Sequence, residues 1–310
     1  MICRGREAYR PPSVAWGCRT TLHARRLYTV PLPGGRRLPL GGRTLVMAVI
    51  NLTPDSFSEK VPSVDPSRAL DRALAAQAEG ADILDLGAES TRPGAAAVDA
   101  EEELRRLLPA LRAIAARCPL PISVDTTKAS VARAALSEGA AMVNDISGLR
   151  YDAGLGRVVA AAGAALIVMH MRGRPAEMYR DAVYADVGAE VRDELAERVA
   201  AAEEAGVARE AIIVDPGLGF AKRPEHSYAL LARLPELARL DRPILVGSSR
   251  KSFLTRALGD VPPEARDWGT AASVAMAIAQ GAHIVRVHAV GEMVQVARVA
   301  DEIVRGTDRS

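Results

Sequence analysis

Aromatic side chains are scarce: Phe, Trp and Tyr together make up 4% of the 310 residues, so the core must be built from Ala, Val, Leu and Ile. Such a core suits close packing of helices on a sheet. Cysteine is rarer still. Cys3, Cys18 and Cys118 include no C-x-x-C spacing, which excludes a disulfide framework and a thiolate metal site and fits a reducing compartment, the cytoplasm. No run of 18 apolar residues is present, which excludes a membrane-spanning helix. No G-x-G-x-x-G turn follows the first apolar run ending at Ile50, which argues against a doubly wound dinucleotide-binding sheet. Excess charge is also missing. The formal charge of +2 is inflated by residues 1–30, where six arginines (Arg4, Arg6, Arg10, Arg19, Arg25, Arg26) face a single acid, Glu7. The rest of the chain is net negative, which argues against a nucleic-acid-binding body.

What is present is a regular alternation. Eight short apolar runs read as strands buried on both faces: 45–50, 83–86, 121–124, 142–144, 165–169, 212–214, 243–246 and 284–287. Between them lie segments of helical period: 66–79, 100–116, 129–138, 156–162, 187–205, 225–239, the pair 251–258 and 268–279, and 293–305. In the second of these, Leu104, Leu107, Leu108, Leu111 and Ile114 form one apolar stripe. Glycines at 80, 139, 163, 206 and 281 stand where helices end. Strand then helix, eight times, implies parallel strands and right-handed crossovers, hence an α/β (β/α)8 TIM barrel. Pro33-Gly34-Gly35 and Gly41-Gly42 predict a short N-terminal hairpin before it. The expected organisation is a disordered basic tail over 1–26 and one barrel domain over 27–310. The tail reads as an extension or an over-long start. It has the arginines of a transit segment but no amphipathic repeat.

In such barrels the chemistry sits at the C-terminal strand ends, and here every end is polar. Asp125, Asn144, Asp215 and Lys251 offer carboxylates, an amide and a cation, a set that fits a flat heterocycle with an amide edge. Asn51, Arg286 and His288 come from the first and last ends, neighbours in a closed barrel, and with Arg92 they suit phosphate or pyrophosphate. Two readings stay open for several residues. Asp145 is a cap or a ligand contact, His170 a packing histidine or a site residue, and Asp85 a structural ion pair or a ligand group.

These strand ends resemble the motifs of dihydropteroate synthase: Asn51-Leu52-Thr53-Pro54-Asp55-Ser56-Phe57, Glu89-Ser90-Thr91-Arg92-Pro93-Gly94, Ser123-Val124-Asp125-Thr126, Val143-Asn144-Asp145, Met169-His170-Met171, Asp215-Pro216-Gly217-Leu218-Gly219-Phe220, Ser249-Arg250-Lys251-Ser252-Phe253 and Arg286-Val287-His288. The resemblance runs in order from about residue 38 to 305. It implies condensation of 6-hydroxymethyl-7,8-dihydropterin pyrophosphate with p-aminobenzoate. It further implies that Asp125, Asn144, Asp215 and Lys251 hold the pterin, with Asp125, Lys251 and Asp215 catalytic. Asn51, Arg92, Arg286 and His288 would hold the pyrophosphate, with Mg²⁺ near Asn51. Phe57, Thr91, Pro93, Phe220 and Ser249 would shape the p-aminobenzoate site, where sulfonamides compete. A homodimer is expected on the same ground.

Some positions depart from that pattern: Glu59-Lys60-Val61 after Phe57, and Ala88, Ala221, His226 and Ala289, where Gly, Gly, Asn and an acid are usual. Two other readings follow from the same residues. One is a methyltetrahydrofolate-dependent corrinoid methyltransferase, which has no use for the Ser-Thr-Arg-Pro-Gly motif, and the other is a silent pterin-binding paralogue.

Overall fold

A computed structural model describes residues 23, 25–53, 65–90, 98–174, 179–180 and 182–307. The described chain opens with an antiparallel hairpin, β1 (Tyr28–Pro31) and β2 (Arg37–Leu40), joined by a 3-10 turn at Pro33–Gly35. Eight parallel strands follow: β3 (Leu45–Asn51), β4 (Ile83–Gly87), β5 (Ile122–Asp125), β6 (Met142–Asp145), β7 (Ala165–Met169), β8 (Ile212–Asp215), β9 (Leu245–Val246) and β10 (Ile284–Val287). Their order is β8-β7-β6-β5-β4-β3-β10-β9. The two ends of that order meet, because Val214 bridges to Ile244 in parallel and donates its N–H to Pro243 O (3.0 Å). The sheet is therefore a closed (β/α)8 barrel.

The helices α1 (Pro66–Glu79), α2 (Ala100–Ala115), α3 (Ala129–Ser137), α4 (Leu155–Ala161), α5 (Val187–Glu204), α6 (Pro224–Ala232), α7 (Thr255–Leu258), α8 (Asp267–Ala279) and α9 (Val290–Thr307) pack outside it. Asp65, Asp99 and Asp186 start three of them by accepting from Ser67 N, Glu102 N and Ala189 N. The segment 225–239 is not one helix. α6 stops at Ala232 and Leu234–Leu240 winds as 3-10, because Pro235 has no N–H to continue the ladder. No described helix is long and apolar enough to cross a membrane.

Side chains alternate across each strand, so parity decides what faces the barrel axis. Val46, Ala48, Leu84, Leu86, Ile122, Val124, Val285 and Val287 pack outward under the helices. Met47, Ile83, Met142, Ile167, Ile213, Leu245 and Ile284 point inward and share one cluster with Val30, Leu32, Leu38 and Leu40 of the hairpin. The hairpin therefore plugs the N-terminal end of the barrel. Two residues further along the inner row, the side chains become Asp85, Asn144, Asp215 and Arg286. An apolar floor carries a polar site.

Residues 25 and 26, counted with the tail on charge, are fixed to this plugged end. Arg25 Nη2 meets Asp301 Oδ1 at 2.5 Å and its Nη1 reaches Thr44 Oγ1, with both charged side chains 4% exposed. His283 Nδ1 accepts from Ile244 N (3.1 Å), which leaves its Nε2 to donate to Arg26 O (3.1 Å). Arg25→Ala leaves Asp301 buried without its cation. It is expected to lower the unfolding free energy by about 3 to 5 kcal/mol, read from urea titrations.

Candidate active site

At the open end, Asp125 of β5, Asn144 of β6, Asp215 of β8, Arg286 of β10 and Lys251 beyond β9 line a single pocket. Ile146, Met169 and Phe220 form its apolar walls. All four residues expected to hold a heterocycle are thus brought together. Arg286, expected on the anion side, joins them: its Nε donates to Asp85 Oδ2 (2.6 Å) and its Nη2 to Asp125 Oδ2 (3.0 Å). Asn144 Nδ2 donates to the same Asp85 oxygen at 3.2 Å. Asp85 is therefore the structural ion pair of its two readings, and it aims the guanidinium into the pocket.

Crowding acids and bases in a dry pocket shifts their protonation. Burial pushes the Asp125 carboxyl up to about 7, with Arg286 opposing and Asp85 reinforcing the shift. Burial raises Asp215 as well, against Lys251. Burial pushes the Lys251 ammonium down to about 8, with Asp215 holding it up. Asn144 Oδ1 and Asp85 Oδ1 are buried and have no partner among the described residues. A ligand presenting N–H groups would satisfy such acceptors.

The turn after β8 forms one wall. Asp215 Oδ1 accepts from Gly217 N (2.7 Å), and Gly217 sits at φ 66°. A side chain there would place its Cβ 2.0 Å from His170 O, so only glycine fits. Lys251 Nζ donates to Leu218 O (2.7 Å) and lies 4.6 Å from the centre of the Phe220 ring, tying the seventh strand end to this turn.

Asn51 ends β3 and His288 follows β10, and these strands pair directly, as the closed barrel requires. Ser249 was expected against the arylamine. Its Oγ lies 2.9 Å from His288 Nδ1 and accepts from His288 N (3.2 Å), so it fixes the residue expected to meet the anion. Asp145, one residue past Asn144, has opposite parity and caps its turn, taking Ser147 N (2.8 Å), Ser147 Oγ (2.7 Å) and Leu149 N (2.6 Å). His170 is 1% exposed and held between Lys222 and Glu194, the packing reading. Phe57, Thr91, Arg92 and Pro93, with the Glu59-Lys60-Val61 departure, lie outside the described residues.

Sequence reasoning missed a second acid–base cluster. Lys128 Nζ meets Glu89 Oε2 and Glu103 Oε2, each at 2.5 Å, while Glu89 Oε1 accepts from Val98 N (3.0 Å). Glu89 is thus an anchor for its motif. The available signal was Glu103, an acid four residues before Leu107 on the apolar stripe of α2.

Residues 47–288 match the family model for pterin binding enzymes. A dihydropteroate synthase of Synechocystis sp. is 46% identical across 89% of this chain and 96% of that protein. The chain belongs to the dihydropteroate synthase family. Among solved structures, the Burkholderia cenocepacia dihydropteroate synthase complexed with 7,8-dihydropteroate superposes with a TM-score of 0.82 at 41% identity, covering 92% of this chain and all of that one. The Xanthomonas albilineans dihydropteroate synthase with 4-aminobenzoic acid gives 0.81 at 42% identity, covering 89% and 98%.

Against the usual pattern of dihydropteroate synthases, the departures now have physical content. Ala221 is fully buried at φ 47°, a left-handed conformation that a glycine adopts without strain. His226 accepts from Arg223 N at the start of α6 (3.4 Å) and its ring meets Tyr184 edge-on at 5.1 Å. Ala289 replaces the usual acid next to His288 in the chain, and Ser249 meets the His288 ring and backbone. Ala88 is buried in the core without strain.

Proposed function

We infer that this chain condenses 6-hydroxymethyl-7,8-dihydropterin pyrophosphate with p-aminobenzoate, giving 7,8-dihydropteroate and pyrophosphate. The observation that carries the reading is the convergence of Asp125, Asn144, Asp215, Lys251 and Arg286 on one pocket. Family membership and the relatives bearing dihydropteroate and 4-aminobenzoate support it.

In this reading the carboxylates of Asp125 and Asp215 and the Asn144 amide oxygen take N–H donors from the pterin ring, and Lys251 reads an acceptor. Breaking the C–O bond to pyrophosphate leaves positive charge on the pterin methylene, which these fixed carboxylates stabilise in a site of low polarity. Arg286 and His288 receive the departing anion. The arylamine is already a neutral nucleophile, so the step needs no strong base. Its ring lies against Phe220.

Asn51, at the end of β3, would hold the Mg²⁺. A magnesium ion carried by a pyrophosphate takes one or two protein oxygens and completes its shell with phosphate and water, and the Asn51 amide is such an oxygen next to the anion group. When bound, it neutralises charge on the leaving group. The assembly is read as a homodimer acting in the cytoplasm. Trp268, Met276, Val299 and Ile303 leave large apolar surface exposed on α8 and α9, consistent with a buried face.

The test supplies purified chain with the pterin pyrophosphate, Mg²⁺ and radiolabelled p-aminobenzoate. Labelled dihydropteroate is expected, with one pyrophosphate released per coupling. No labelled product beside a working control enzyme sinks the reading and favours a silent paralogue.

A further inference from the structure

Behind the pocket wall sits a lysine that the chemistry above does not use. Lys222 is 1% exposed and is the largest side chain among the fully buried ones. Its Nζ lies 2.8 Å from His170 Nδ1, 3.0 Å from Phe220 O and 3.1 Å from Gly217 O, with His170 O further off at 3.4 Å. Three close acceptors match the three N–H donors of an ammonium. Burial drives its pKa well below the ordinary lysine value, against the pull of Asp215. A cation this dry is costly, and among the described residues no carboxylate oxygen lies within 4.0 Å of it.

The rest of the network fixes its direction. The Glu194 carboxylate can only accept, so the His170 ring proton sits on Nε2, 3.0 Å from Glu194 Oε2, and Nδ1 is left to accept from Lys222. Arg172 Nε in turn donates to Glu194 Oε1 at 2.9 Å. A chain of polar contacts thus runs inward from Arg172 through Glu194 and His170 to the two carbonyls that shape the turn carrying Phe220. Asp215 is held mainly by its place on β8 and by His170 N donating to Asp215 O (2.9 Å), and meets the turn through Gly217 N.

We propose that Lys222, held by His170, is a positioning residue for the second substrate: it fixes the Gly217–Phe220 turn and so places the Phe220 ring under the arylamine. The proposal rests on the functional reading above. It weighs on the second substrate more than the first, since Asp125 and Asn144 of the pterin grip sit on β5 and β6, which Lys222 does not touch.

Lys222→Met keeps length and apolar bulk and removes all three donors. It is expected to raise KM for p-aminobenzoate at least about tenfold while the Kd for the pterin pyrophosphate moves less than about threefold, a split that general loosening of the fold would not give. A second pair keeps the test open if that variant fails to fold. His170→Asn retains an acceptor for Lys222 and should stay near the parent, whereas His170→Leu should show the raised KM. An unchanged KM in Lys222→Met, a parallel loss of both affinities, or equal behaviour of the two His170 variants overturns the proposal. If the parent itself forms no dihydropteroate, the functional reading falls first, and this inference falls with it.

Discussion

Lys251→Ala lowers kcat/KM for the pterin pyrophosphate by about a hundredfold to a thousandfold, the scale on which one fixed donor in a dry site is lost. The expectation follows from where the ammonium sits. It lines the pocket, holds the turn through Leu218 O at 2.7 Å, and lies over the Phe220 ring. Its charge also balances Asp215. Without it, Arg286 is left as the cation lining the described pocket beside the two acids, and pterin binding loses a donor. The fold should persist, because Lys251 begins a turn and packs no core layer. A circular dichroism spectrum matching the parent, with steady-state kinetics, checks both halves. Full-speed turnover would show that the seventh strand end is misassigned.

Asp125→Asn is the second large effect, and it carries a pH signature. In the parent, burial holds the Asp125 carboxyl up to about 7. If the ionised form grips the ring and stabilises the developing cation, kcat/KM rises as pH climbs through about 7, and the asparagine variant loses that limb along with most of its rate. Stability runs the other way. A carboxyl whose folded pKa lies above its unfolded value of 3.8 costs stability above that value, and the cost is complete once pH passes about 7. Asp125→Asn should therefore melt higher than the parent at pH 8, with the difference shrinking as pH falls toward 4. A variant that is slower and also less stable at pH 8 would mean that the ion pair of Asp125 with Arg286 outweighs the cost of burying its charge.

The barrel is legible in the sequence because its signal is local. Buried parallel strands show as apolar runs whatever packs around them, and all eight lie within a residue or two of their expected bounds. The polar strand ends are legible for the same reason, since an acid such as Asp215 closing a run like Ile212-Ile213-Val214 has no place in a core. Partnerships are not legible. That Arg286 lies between Asp85 and Asp125, or that Ser249 turns to His288, depends on strands far apart in sequence. Strand parity, applied strictly, separates Asn144 from Asp145 on sequence alone. Lys222 gives no periodic signal: a lysine after a glycine-rich turn reads as solvent-exposed, and only the pairing of β7 with β8 puts His170 behind it. Arg25 is lost among its neighbours, because six arginines in thirty residues look like one charged tail.

In the proposed reaction the pocket carboxylates hold positive charge on the pterin methylene as pyrophosphate departs. An α-secondary deuterium isotope effect on kcat/KM, measured with the dideuterated methylene substrate under conditions where chemistry limits the rate, tests that claim most directly. A clearly normal effect, diminished together with the rate in Asp125→Asn, is expected for a carbon that opens toward a cation before the arylamine arrives. An effect of one or below would mean that the amine pushes the pyrophosphate out directly, and would contradict it.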